Sequence, residues 1–142
     1  MTVLDANILI AAWNEDDPRN DKAMAWTESV LSREQWVGIP WVSIWAFLRI
    51  LTNPRAFKHP LGSQTAFHVV QTWLDRPNVI VLQPGPRHAE LLRSLVISGQ
   101  ATGTLLTDAV LAAITIEYGG VLASADLDFS RFAGLSWFNP LA

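Results

Sequence analysis

The sequence predicts an α/β fold in which helices cover both faces of a short parallel sheet. Short, wholly apolar segments alternate with longer segments whose apolar residues recur at helical spacing. Strands that are apolar at every position are typical of parallel sheets, because helices bury both of their faces. Hydrophobic residues make up 50% of the chain and charged residues only 16%, which favours a sizeable core. We therefore expect a single domain over residues 1–142.

The N-terminal half predicts two strands and four helices. The third helix has Pro40 near its N-terminus and stops before Pro54, as helices tend to do. Ser63 is the expected N-cap of the fourth. In chain order we expect a strand at 2–5, helices at 6–13 and 22–33, a strand at 36–39, and helices at 40–53 and 63–76.

The C-terminal half continues the alternation with shorter connections. Gly99 is expected to end one helix, and Gly119 with Gly120 to end the next. In chain order we expect a strand at 79–82, helices at 86–99 and 106–120, a strand at 121–124, a loop at 125–134 and a last strand at 135–138. In such sheets, sites form outside the carboxyl ends of the strands.

Composition excludes several classes of site and of protein. The chain has no cysteine, so it has neither disulfides nor thiolate sites. We expect a cytoplasmic protein without a membrane span, because no apolar run approaches roughly 18 residues and no basic segment precedes the N-terminal apolar stretch. A net charge of −3 argues against bulk electrostatic binding of nucleic acid, but not against a local basic patch. Few charges and seven tryptophans favour a dimer or stable complex, with a well-packed monomer as the alternative.

Four aspartates are predicted to meet at one edge of the sheet. Asp5 ends the first strand, Asp126 and Asp128 follow the fourth, and Asp108 begins the helix that leads into the fourth. Clustered carboxylates repel one another unless a cation compensates them. A set of acids without histidine or cysteine suits Mg²⁺ or Mn²⁺ better than zinc. Each acid also has a local alternative, namely capping a helix or making a turn with backbone amides.

Other polar residues are weaker candidates. Asn7 either hydrogen-bonds an acid or water near Asp5, or caps its own helix. Arg55 and Lys58 belong to a small basic patch that either contacts a phosphate backbone or is a solvated loop. Glu117 is expected on the solvated face opposite Asp108, because nine residues of helix separate the two.

Three segments in this order resemble the PIN-domain ribonucleases of bacterial toxin–antitoxin modules, the VapC toxins. They are "VLDANILI", "WAFLRILTNPR" and "TDAVLAAITIEYGGVLASADLDFSRFAGLSWFNP", and the similarity runs over nearly the whole chain. The resemblance implies an α/β/α sandwich and a Mg²⁺- or Mn²⁺-dependent endoribonuclease that cuts tRNA or rRNA and blocks translation. It also implies a homodimer that a VapB-type antitoxin neutralises.

The resemblance also implies roles for individual residues. It predicts that Asp5, Asp108 and Asp126 hold the metal. It further predicts that Asp128, a fourth catalytic acid, and Asn7 orient a ligand or a water. We expect phosphate contacts from three cations in or after the middle helix, although the first of them could equally pair with a structural carboxylate. These cations are Arg49, Arg55 and Lys58.

One departure from the family pattern keeps other functions open. Many members carry a Glu three residues before the arginine of the middle helix, where this chain has Ala46 before Arg49. Either the remaining aspartates suffice, another acid such as Glu90 substitutes, or metal binding needs the RNA. A non-catalytic RNA- or protein-binding module is therefore one alternative. A phosphatase with Asp5 as nucleophile is another, disfavoured because Asn7 stands where such chemistry needs a second acid.

Overall fold

The computed structural model describes residues 1–142 and contains five strands and six α-helices. The strands are β1 (Thr2–Leu4), β2 (Val37–Pro40), β3 (Val79–Leu82), β4 (Val121–Ala123) and β5 (Trp137–Phe138). The α-helices are α1 (Ala6–Trp13), α2 (Asn20–Leu31), α3 (Trp41–Leu51), α4 (Ser63–Leu74), α5 (His88–Ser98) and α6 (Leu105–Glu117). None of these helices combines the length and apolar composition needed to cross a bilayer.

All five strands form one parallel sheet in the order β3-β2-β1-β4-β5. Thr2 of β1 pairs with Val37 on one side and with Val121 on the other. The sheet grows from β1 toward β3 in the first half of the chain, and from β1 toward β5 in the second. The direction therefore reverses between β1 and β4, which is the position where parallel α/β sheets open a crevice at their carboxyl ends.

Side chains of neighbouring strand residues enter two different cores, because successive residues point to opposite faces of a sheet. Leu4 and Ala123 pack in a core with residues of α1 to α4. Val3 and Leu122 pack in a second core with residues of α5 and α6. The predicted α/β/α sandwich with a short parallel sheet is therefore confirmed.

Two local predictions were wrong. The loop expected at 125–134 contains a 3₁₀ helix at Leu127–Arg131, with Asp126 as its N-cap. Ser63 is not the N-cap of α4 but its first residue, and Gly62 occupies the cap position with extended backbone angles. Glycine is also among the residues that N-cap positions favour, so the helix boundary falls one residue earlier than the serine suggested.

Glu117 has a structural role that the prediction of a solvated face missed. Its carboxylate accepts hydrogen bonds from the backbone N–H groups of Gly85 (2.9 Å) and Arg87 (2.8 Å), just before α5. Partial desolvation opposes ionisation, but these two donors outweigh it and hold the pKa of Glu117 below its ordinary value. Glu117 thus fastens the end of α6 to the segment that enters α5, and it lies outside the aspartate cluster.

Candidate metal centre

The candidate site lies where β1 and β4 end side by side at the carboxyl edge of the sheet. Asp5 follows β1 directly, and its backbone N–H donates to the carbonyl of Ala123, 3.1 Å away. The chain after β4 continues through Ser124 to Asp126, and α6 brings Asp108 in its first turn. Segments about 100 residues apart in the sequence therefore meet because their strands are neighbours.

Three carboxylates form the closest group of possible metal ligands. One oxygen atom each of Asp108, Asp126 and Asp128 lies within 4.8 Å of the other two. Asp108 and Asp126 are partly buried and Asp128 is exposed. The three residues offer oxygen atoms only, the ligand type that Mg²⁺ prefers, and the exposure of Asp128 leaves access for the waters that Mg²⁺ retains. We call these residues the aspartate trio.

Asp5 is not a member of the trio and is linked to it through a buried hydroxyl. The Ser124 side chain, fully buried, donates to a carboxylate oxygen of Asp5 at 2.7 Å. The same hydroxyl accepts from the Asn7 amide at 3.0 Å and from the backbone N–H of Asp126 at 3.1 Å. The Asn7 side-chain oxygen in turn accepts from the N–H of Ala125. This network joins the two strand ends and orients the Asp5 carboxylate.

Ser124 is a site residue that sequence reasoning did not single out. The sequence predicts Ser124 as the last residue of the fourth strand, whereas β4 ends at Ala123, and a serine after an apolar strand carries no motif of its own. Its signal was positional, because a polar residue between a buried strand and Asp126 must find a hydrogen-bond partner.

The surroundings of Asp108 and Asp5 disfavour the charged forms of these two acids. Burial, followed by the charges of the neighbouring aspartates, raises the pKa of Asp108 to about 6, with Arg131 opposing the shift. Burial also raises the pKa of Asp5. The hydrogen bond from Ser124 opposes this rise, and the charge of Asp126 adds to it. A bound cation would relieve the repulsion that contributes to both shifts.

We expect Asp108→Asn to stabilise the metal-free protein at neutral pH. The ordinary pKa of 3.8 rises to about 6 on folding, so the stability contributed by protonated Asp108 is complete below pH 3.8 and is lost as pH rises through 6. The asparagine avoids this loss. In EDTA, the Tm of the variant should exceed that of the wild type above pH 6 and converge with it toward pH 4. Equal Tm values at every pH would contradict the prediction.

The 3₁₀ helix holds two acids of the trio in place through local contacts. The Asp126 carboxylate accepts from the backbone N–H of Asp128 at 2.9 Å, so the turn role proposed as an alternative coexists with membership of the trio. Arg131 lies 3.9 Å from the Asp128 carboxylate and also donates to the carbonyl of Gly99 at 3.0 Å. The arginine therefore ties the acidic turn to the end of α5.

The remaining predicted residues lie outside the aspartate trio. Ala46 is partly buried and faces the same surface recess as Arg49, which makes no ion pair. Arg55 and Lys58 are exposed in the segment after α3, also without ion pairs. Glu90, considered as a substitute ligand, is exposed in the first turn of α5 and is not part of the trio.

Comparison with known proteins places the chain in a family. The family model described as "PIN domain" matches residues 2–135. Ribonuclease VapC33 of Mycobacterium tuberculosis is 36% identical over 141 residues, which cover 99% of each chain. Ribonuclease VapC31 of the same organism is 38% identical, again over 99% of both chains.

A solved structure supports the fold independently of close sequence identity. The VapBC2 complex of Rickettsia felis, bound to a DNA fragment from its promoter, contains a chain that superposes with a TM-score of 0.69 at 17% identity. The match covers 97% of both chains. Together with the family match and the two relatives, the acids at the carboxyl edge of this sheet lead to one assignment. The chain belongs to the PIN-domain family, among the VapC ribonucleases.

Proposed function

We propose that the chain is the toxin of a type II toxin–antitoxin pair, acting as a Mg²⁺- or Mn²⁺-dependent endoribonuclease. Its reaction is hydrolysis of phosphodiester bonds in tRNA or rRNA, which inhibits translation. The observation that carries the proposal is the aspartate trio, whose carboxylate oxygens lie within 4.8 Å of one another in a chain of this family.

The donor set fits a hard divalent cation. Asp108, Asp126 and Asp128 offer only oxygen atoms, and burial followed by the neighbouring negative charges raises the pKa of Asp108. Bound there, Mg²⁺ or Mn²⁺ would lower the pKa of a water and stabilise negative charge on a phosphate. Asp5 reaches the same edge from β1 and supplies a fourth carboxylate near the trio. Through Ser124, Asn7 keeps that carboxylate oriented.

The trio differs in one respect from the metal set expected from the resemblance. That set was Asp5, Asp108 and Asp126, with Asp128 in a supporting role. We propose that Asp128 shares direct contact with the ion, because its oxygen meets the same spacing as the other two. Asp5 would then support the site from β1, with its carboxylate held by Ser124.

Three unpaired cations are the proposed phosphate contacts. Arg49, Arg55 and Lys58 are exposed and form no ion pairs. Arg49 was equally compatible with pairing to a structural carboxylate, and no such pair occurs. Cations that no carboxylate neutralises remain available to a phosphate backbone, so this chain can approach RNA locally in spite of its net charge of −3.

The proposed partners are a VapB-type antitoxin and a second copy of the chain. Solved complexes of similar fold hold a VapC-type chain together with its VapB protein, as in Rickettsia felis and in nontypeable Haemophilus influenzae. Another neighbour, VapC20 of Mycobacterium tuberculosis, is described as a toxin that cleaves the sarcin–ricin loop. A low charged fraction and exposed aromatic side chains suit such association.

The test is cleavage of total cellular RNA by the purified chain, freed of antitoxin, with Mg²⁺ and with excess EDTA. We expect discrete fragments with Mg²⁺, none with EDTA, and recovery when Mg²⁺ or Mn²⁺ is restored in excess. Cleavage that survives the chelator would contradict the metal-dependent mechanism.

A complete absence of cleavage under all conditions would favour the non-catalytic binding module, the alternative that Ala46 raises. The aspartyl-phosphate alternative gains no support, since the Asn7 side chain is engaged by Ser124 and Ala125.

A further inference from the structure

Two tryptophans on α3, one partly buried and one exposed, are unused by the mechanism above. The rings of Trp41 and Trp45 are stacked, with centroids 6.3 Å apart and planes inclined by 22°. Trp45 is 60% exposed, one of the largest exposed fractions among the big apolar side chains. Apolar surface left in water forgoes the free energy that burial would provide. The large exposed surface of the Trp45 indole therefore requires an explanation.

The exposed ring of Trp45 borders a recess between α3 and the start of α6. The recess has a volume of about 330 Å³ and is lined by Val42, Trp45, Ala46, Arg49 and Thr107. Thr107 immediately precedes Asp108, so the recess adjoins a member of the trio. The small side chain of Ala46 leaves this space open between α3 and the start of α6.

The charges around the recess favour a nucleotide over an acidic or purely apolar ligand. Arg49 is the one charged residue in the lining, and no acid occurs between Trp41 and Asn53. Arg49 follows Trp45 by four residues on α3, so the two side chains lie on the same face. A flat apolar surface beside a free guanidinium matches a base attached to a phosphate.

We infer that Trp45, supported by Trp41 and Arg49, forms a stacking site for an unpaired base next to the phosphate that is cut. Aromatic side chains stack on any base, but only on one that has left its duplex. The inference rests on the proposed function and narrows it to RNA that is single-stranded at the cleavage site. Trp45 is thus a specificity residue, whereas the acids carry the chemistry.

The experiment measures binding of a fluorescein-labelled oligoadenylate of eight nucleotides by anisotropy, in an Asp126→Asn background that blocks hydrolysis. Trp45→Ala should weaken binding of the single strand roughly 5- to 150-fold, the range found for loss of one stacked base. Trp45→Phe should retain most of the affinity. For the same strand paired with its complement, Trp45→Ala should have little effect.

Trp36→Ala is the matched control. Trp36 is 55% exposed and precedes β2, at the opposite edge of the sheet from the acids, so its loss should leave binding unchanged. Single-strand affinity within twofold of the parent for Trp45→Ala would overturn the inference. An equal loss for Trp36→Ala would also overturn it. A lower mass of Trp45→Ala in sedimentation, with unchanged RNA affinity per protomer, would overturn the inference too. Trp45 would in that case contact another protein chain rather than RNA.

Failure of this inference can be told apart from failure of the proposed function. If the active chain cleaves RNA while Trp45→Ala binds and cleaves like wild type, the stacking site is wrong and the nuclease stands. If no form cleaves RNA but Trp45 still governs single-strand affinity, the nuclease is wrong and the stacking site stands. Melting curves of the Trp45 variants serve as the folding control, and an exposed position predicts unchanged Tm values.

Discussion

Asp126→Asn is expected to lower Mg²⁺-dependent RNA cleavage by at least about 100-fold. Residues that only support metal ligands typically cost 10- to 100-fold when mutated, and a direct ligand should reach at least the upper end of that range. The asparagine keeps a side-chain oxygen for the hydrogen bond from the Asp128 N–H but removes one negative charge from the trio. The measurement is the initial rate of cleavage under saturating Mg²⁺.

A matched variant separates loss of the ligand from loss of a carboxylate in general. Asp75→Asn removes an exposed carboxylate that bonds only Gln71, and it should cleave RNA at the wild-type rate. The Tm of Asp126→Asn in EDTA should not fall, because the substitution relieves repulsion with Asp108 and Asp5. Retention of more than a tenth of the wild-type rate by Asp126→Asn would rule out a direct role for this carboxylate.

Ser124→Ala should reduce both stability and activity. The substitution leaves a buried carboxylate oxygen of Asp5, the Asn7 amide and the Asp126 N–H without their shared partner. An unsatisfied buried polar group costs about 1–3 kcal/mol, so the free energy of unfolding should fall by at least that amount. Cleavage should fall roughly 10- to 100-fold, as for other residues that orient metal ligands.

Chemical denaturation and cleavage rates measured on the same protein check both halves of this expectation. Ser98→Ala is the control, because its hydroxyl is exposed and bonds only the Ser94 carbonyl within α5. It should change neither quantity appreciably. If Ser124→Ala unfolds and cleaves like wild type, the buried network is not what orients Asp5.

Much of the fold could be predicted from local sequence patterns, because packing in the folded chain did not change the elements that these patterns favour. The apolar strands VIVL and VLA have no polar position, which favours a sheet covered by helices on both faces, although Ile80 and Val121 are exposed in the structure. The helices α1 and α3 are bounded by Asp5 and by Pro54, which are local signals readable from neighbours in the chain. The order and register of the strands could not be predicted. They depend on packing, and no local sequence signal states which strands are neighbours.

The candidate site was predictable in part for the same reason. Asp5, Asp108 and Asp126 could be placed at one edge because strands and helix starts carry a direction. The geometry of their side chains could not be predicted. The 3₁₀ turn that brings Asp128 close to Asp108 and Asp126 was expected to be a loop. Ser124 escaped notice because its importance arises from three partners that lie on different segments, and only the assembled fold brings them within bonding distance.

The contacts of Arg131 have a consequence for how the proposed cation would bind. One side chain bridges the Gly99 carbonyl and the Asp128 carboxylate, and the Asp126 carboxylate is already bonded to the following backbone. These contacts within the protein hold the acidic turn without help from a cation, so we expect cation binding to involve exchange of water rather than refolding of a loop. Stopped-flow mixing of the metal-free chain with Mn²⁺ should therefore show a single association phase whose rate rises linearly with Mn²⁺ concentration, without a plateau.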